Sequence, residues 1–202
     1  MVDTSYWGSQ RVIPVVVIKN ADQAVSLAKV LAGAGLPKIE ITLRTSAALE
    51  AIKRIHEEVP DAIVGAGTVL DAESGERAIK AGAKFLVSPG STPSLLSFFL
   101  DSQLPFLAGC ATVSEAMRLN ELDIKVAKFF PAEDSGGAAF LKGISSVLQQ
   151  IKFCPTGGIN KSNYQTYLAL PNVVCVGGSW ITPSAFIEEG KWDEIVKLAA
   201  EI

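Results

Sequence analysis

Lys128 lies in "VAKFFPAEDSGG" (126–137), inside a short apolar, β-prone run followed by two phenylalanines and a proline. A strand entering a core has no ordinary place for an ammonium, since burying one unpaired is strongly unfavourable. A desolvated lysine beside apolar groups is, however, a nucleophilic amine suited to a Schiff base with a carbonyl substrate. In "KIEITLRT" (38–45), side-chain alternation puts Glu40, Thr42 and Arg44 on one face and Ile39, Ile41 and Leu43 on the other. The apolar face should meet helices, which directs the polar face inward. An inward carboxylate on a strand is rare unless it is paired or at work. Two readings therefore stand together: a buried ion pair of Glu40 with Arg44 or Lys128, or an acid–base carboxylate facing a nucleophilic amine. The same alternation groups Val126, Lys128 and Phe130 on one face of "KVAKFF", with Ala127 and Phe129 opposite.

Two glycine-rich loops add a third kind of chemistry. "CPTGGIN" (154–160) and "VGGSWITP" (176–183) each follow a short apolar run. Glycines let backbone N–H groups approach an anion closely, and the Ser179 hydroxyl is a further donor. "GAGTV" (65–69) carries Thr68, which alternation assigns to the face of Val64 and Ala66 and which reads as a cap or turn former. "SPGSTP" (88–93) reads as a turn and helix start, and Lys19 as a solvated loop residue.

His56 is the one histidine, set in the helical pattern "AALEAIKRIHEEV" beside Glu57 and Glu58. Ser-His-Asp chemistry and most zinc catalysis are thereby set aside, leaving carboxylates, lysines and tyrosines for acid–base work. Cys110, Cys154 and Cys175 form no CxxC pair and lie in or beside apolar stretches, so reduced packing cysteines are expected rather than zinc ligands or disulfides. A cytoplasmic protein is the consistent setting. The net charge of −3, with no long basic run, argues against a nucleic-acid surface. No window approaches 18 uninterrupted apolar residues, so no membrane span is expected. The start, "MVDTSYWGSQR", has no basic stretch leading into an apolar one and does not read as a signal peptide.

The elements that must position these groups alternate regularly. Strand candidates are 13–18, 38–43, 61–66, 84–88, 105–109, 125–130, 152–157 and 173–178. Between them lie segments such as "ADQAVSLAKVLAGAG", with apolar residues at i, i+3, i+4 and i+7 and glycines where helices end. Eight strand–helix cycles without a linker predict an α/β fold, a single-domain (β/α)₈ barrel over 1–202 with 1–11 as an N-terminal extension. A doubly wound open sheet is the other arrangement of the same elements. In a barrel, catalytic groups gather at the C-terminal strand ends, and the loops after strands seven and eight form the common phosphate site.

"EITLRT", "IVGAGTVL", "VSPG", "KFFPAE", "PTGGI" and "GGSW" occur in an order and at spacings similar to those of the 2-keto-3-deoxy-6-phosphogluconate (KDPG) aldolase family, which also includes enzymes cleaving 4-hydroxy-2-oxoglutarate (KHG). The likeness runs from about Ile13 to about Ala199. It implies a small barrel, a homotrimer, a phosphorylated keto-acid substrate and a class I aldolase needing neither metal nor other cofactor. Carried across by motif, Lys128 is the Schiff-base residue and Glu40 the general acid/base. Arg44 and Thr68 hold the pyruvate carboxylate. Gly157, Gly158, Gly178 and Ser179 make the phosphate pocket, Thr156 borders the substrate and Phe130 lines the pocket. "LAGCAT" (107–112) departs from a loop that often carries a proline before its glycine, which bears only on pocket shape. Two other functions fit the residues taken without the resemblance: a sugar-phosphate isomerase or epimerase with Glu40 as base, and a non-catalytic barrel that binds a phosphorylated metabolite.

Overall fold

The computed structural model describes residues 4–202. Eight strands form one parallel sheet: β1 (Val12–Val16), β2 (Lys38–Thr42), β3 (Ile63–Gly67), β4 (Leu86–Val87), β5 (Phe106–Cys110), β6 (Val126–Phe129), β7 (Lys152–Pro155) and β8 (Val176–Gly178). Their order, β7-β6-β5-β4-β3-β2-β1-β8, is sequential, and parallel bridges Phe153–Val173 and Thr156–Gly177 join the two ends. The sheet is closed into a (β/α)₈ barrel, not left open. Helices α1 (Thr4–Gly8), α2 (Ala24–Gly33), α3 (Ala48–Glu58), α4 (Ala72–Lys80), α5 (Pro93–Ser102), α6 (Val113–Glu121), α7 (Gly137–Ile144), α8 (Tyr164–Leu168), α9 (Ser184–Glu188) and α10 (Trp192–Ala199) complete the chain. Among the described residues, no helix is long and apolar enough to cross a membrane.

Alternation divides the strand residues between two cores. Ile39, Ile41, Val64, Ala66, Ala108, Ala127 and Phe129 face the helices, in the larger apolar layer. Ile13, Phe85, Val87, Leu107, Val126, Cys154 and Cys175 fill the barrel interior together with Trp7 from α1. The N-terminal segment thus closes the bottom of the barrel; Met1–Asp3 lie outside the described residues. Trp7 is 1% exposed and meets Phe85 edge to face at 5.5 Å. Buried Gln10 donates to the carbonyls of Val12 and Lys38 and accepts from the Lys38 N–H, at 2.8–2.9 Å.

Helix starts follow from local chemistry. Asp71 and Thr112 each accept a hydrogen bond from the backbone N–H three residues on, forming capping boxes with Ser74 and Glu115. Thr92 caps α5, with Pro93 at its first position, where the missing N–H costs nothing. "SPGSTP" is therefore the turn and helix start that its residues indicate. His56 lies exposed on α3, and the three cysteines are free and buried.

Candidate active site

Inward alternation on β2 places Lys38, Glu40 and Thr42 in succession from the barrel bottom upward, all buried. On β6, Val126 lies low in the interior and Lys128 above it. Strands two and six are opposite one another in an eight-stranded ring, so only side chains reaching the axis can meet. Lys128 Nζ lies 3.5 Å from Glu40 Oε1, with side-chain exposures of 6% and 4%. The Phe130 ring centroid is 5.1 Å from the same nitrogen. Space for the carboxylate comes from Gly67, where a Cβ would sit 2.6 Å from Glu40 Cγ. The charge pair allowed for by the sequence is present, and it is Glu40 with Lys128, not with Arg44.

A cavity of about 400 Å³ opens at the C-terminal end of the strands over this pair. Glu40, Arg44, Thr68, Lys128, Phe130, Thr156, Gly157, Gly158, Gly178 and Ser179 all line it. Arg44 is exposed at the mouth and has no salt-bridge partner among the described residues. The Thr42 hydroxyl, in contrast, is turned down onto the Val16 carbonyl at 2.9 Å. Lys19 is 63% exposed and paired with Glu188 at 2.7 Å, as a solvated loop residue should be.

Thr68 departs from its expected position. Val64 and Ala66 do face the helices, but Thr68 has φ 60°, a left-handed conformation that is an outlier for a β-branched residue. That twist breaks the alternation and brings Thr68 into the cavity wall, while the helix cap falls to Asp71. Pro89 also lines the cavity, and sequence reasoning assigned it only to a turn. Its position two residues after β4 was the available signal, since the loops at C-terminal strand ends face the mouth.

The glycine loop has a distinct electrostatic character. The carbonyls of Thr156, Gly157 and Gly158 are all engaged. They accept from the N–H of Ala132 (2.8 Å), the N–H of Glu133 (3.1 Å), and the amides of Asn160 and Asn163 (3.1 Å each). In a trans peptide the next residue's N–H points the opposite way. The Gly157 N–H is thereby turned toward β8, in the parallel bridge Thr156–Gly177, while the N–H groups of Gly158 and Ile159 find no acceptor among the described residues, and both residues line the cavity. Successive free amides of this kind make an anion-binding concavity. A buried lysine–carboxylate pair below an amide nest suits covalent chemistry on a carbonyl compound that carries an anionic group at its far end.

Comparison with known proteins agrees with that chemistry. The family model for KDPG and KHG aldolase matches residues 4–198. This chain belongs to the KDPG and KHG aldolase family. The Escherichia coli K12 KHG/KDPG aldolase is 47% identical over 190 residues, 94% of this chain and 89% of that protein. The Dickeya dadantii 2-dehydro-3-deoxy-phosphogluconate aldolase is 47% identical over the same shares. The KDPG aldolase of Legionella pneumophila, solved with pyruvate captured at low pH as a covalent carbinolamine intermediate, superposes with a TM-score of 0.95 at 43% identity. It covers 99% of this chain and 97% of its own. The Zymomonas mobilis ZM4 KDPG aldolase, solved with 3-phosphoglycerate, gives 0.91 at 42% identity and covers 98% and 94%. Among these KDPG and KHG aldolases, the chain shares both the barrel and the sequence that fills it.

Proposed function

We infer that this chain is a Schiff-base aldolase that cleaves 2-dehydro-3-deoxy-6-phosphogluconate to pyruvate and glyceraldehyde 3-phosphate. It also cleaves 4-hydroxy-2-oxoglutarate to pyruvate and glyoxylate. The observation that carries this reading is the Lys128–Glu40 contact at 3.5 Å inside the cavity. Lys128 Nζ attacks the C2 carbonyl, giving a carbinolamine and, with loss of water, an iminium. Glu40, directly or through a water, takes the C4 hydroxyl proton. The C3–C4 bond breaks, the aldehyde leaves, and its bonding electrons pass into the iminium to form an enamine. Glu40 returns a proton to C3, and hydrolysis of the new iminium frees pyruvate and the lysine. One carboxylate serves both proton transfers. The iminium nitrogen is the electron sink, so the sequence of steps draws on no metal or other cofactor.

Arg44, unpaired at the mouth, is the bidentate partner for the pyruvate carboxylate, with Thr68 beside it. The Gly158 and Ile159 amides, with Gly157, Gly178 and Ser179 around them, take the phosphate, while Thr156 and Phe130 border the chain between the two ends. The resemblance adds a homotrimer and a cytoplasmic setting; sedimentation at three chain masses checks the former. Purified protein supplied with 2-dehydro-3-deoxy-6-phosphogluconate should release pyruvate and glyceraldehyde 3-phosphate in equal amounts, read by coupled dehydrogenases. Release of neither product would overturn the assignment.

A further inference from the structure

The amide nest is held in shape by groups that line no part of the cavity, and Glu133 is the centre of them. Its N–H donates to the Gly157 carbonyl at 3.1 Å. Its side-chain stem lies against Gly158, where a Cβ would come within 2.7 Å of Glu133 Cβ and 2.5 Å of Cγ. Gly158 has φ 77°, so both the space and the backbone conformation at this position exclude a side chain. One carboxylate oxygen of Glu133 accepts from the Tyr167 hydroxyl. Tyr167 is 1% exposed on α8, the helix into which the glycine loop leads, and its hydroxyl lies against Gly137 at the start of α7, where a Cβ would come within 3.3 Å of it. Burial, then the Glu133 carboxylate, pushes the Tyr167 phenol well above its ordinary range, so it stays a donor. The loop is therefore clamped between α8 and the segment that precedes α7.

We propose that the Tyr167–Glu133 contact positions the Gly158 and Ile159 amides for the phosphate, and so sets the preference for a phosphorylated over an unphosphorylated aldehyde half. The proposal rests on the phosphate reading of that loop. Neither residue meets substrate; both act through the backbone. Turning Glu133 toward Tyr167 also presents its methylene stem, not its charge, to the loop that receives an anion. An interaction realised only with the phosphate is lost from binding alone when it is disturbed, which raises KM with little change in kcat.

The test compares the wild type with Tyr167→Phe, Glu133→Ala and Glu133→Gln on 2-dehydro-3-deoxy-6-phosphogluconate and on 4-hydroxy-2-oxoglutarate, which lacks the phosphate. Tyr167→Phe keeps the buried ring and should raise KM for the phosphorylated substrate by about fivefold to tenfold. Its kcat there, and both constants for the unphosphorylated substrate, should stay within about twofold. Glu133→Ala should behave likewise, whereas Glu133→Gln keeps an acceptor oxygen for Tyr167 and should retain the wild-type KM. Unchanged KM in both Tyr167→Phe and Glu133→Ala, or an equal rise for both substrates, would overturn the positioning role. Inorganic phosphate as a competitive inhibitor of the wild type separates the two levels. If it competes while the variants are unchanged, only the clamp is wrong. If it does not compete and the phosphorylated substrate has no advantage, the phosphate reading fails and takes the clamp with it.

Discussion

Lys38 and Lys128 both point into the barrel, and their partners differ. The Lys38 ammonium donates to the Tyr6 carbonyl at 2.6 Å and to Ser9 Oγ, with the Tyr6 ring 4.6 Å away. Burial pushes it below the ordinary lysine range, and those acceptors hold it in place. Lys128, 5% exposed, has three donors and one long contact, to Glu40. A buried group so loosely satisfied is unusual in a merely structural role. Lys128→Met should reduce turnover by at least ~10⁴-fold, since the proposed mechanism loses its nucleophile. Glu40→Gln should lower kcat by about 10²- to 10⁴-fold while still forming an imine with pyruvate. Steady-state kinetics of both variants, with adduct mass for the second, checks this pair; full activity in either contradicts the roles. The inward placement of both residues was legible from alternation alone, because a period of two fixes the face of a strand residue. Thr68 was not, because its left-handed φ overrides that period and nothing in "GAGTV" encodes the twist.

At the level of elements, the helices are held to the strand ends by capping groups, and these make stability depend on pH. Backbone N–H donation from Ala111 holds the Glu115 carboxyl below its usual value; burial opposes it, and hydrogen bonds from Thr112 reinforce it. The Ser74 N–H does the same for Asp71. A carboxylate whose folded pKa is depressed stabilises fully above its unfolded value, near 4.5 for Glu115. That contribution is lost as pH falls through the lower folded value. The melting-temperature difference between wild type and Glu115→Gln should therefore be largest near neutral pH and shrink below about pH 4. A difference that is constant with pH would assign the cap no ionic component. The caps were visible in sequence as short polar residues before helical periods. Strand ends were less so: β1 and β4 are each shorter than their apolar runs, and pairing between neighbours, not composition, sets where a ladder stops.

The whole molecule separates its two ends. Trp7, Gln10 and Lys38 seal the bottom, while the Lys128–Glu40 pair and its cavity sit at the top, where barrels generally carry their sites. Trp7→Ala should cost about 3–5 kcal/mol of stability, from lost burial and the cavity left behind. It should nevertheless leave pyruvate binding per folded molecule unchanged; denaturant unfolding with adduct titration measures both, and a lost adduct in the folded variant would refute the separation. The eight cycles announced a parallel α/β fold, but closure rests on long-range pairing of β7 with β8, which no local pattern carries. The sealing role of the first residues was equally illegible, because a lone tryptophan before β1 gives no sign of the interior it enters. The central claim, that Lys128 is the covalent residue, is tested most directly by borohydride reduction in the presence of pyruvate followed by peptide mass mapping. A reduced pyruvate adduct on Lys128 alone is the expected result. Pyruvate bound without any adduct, or an adduct on another lysine such as Lys38, would contradict it.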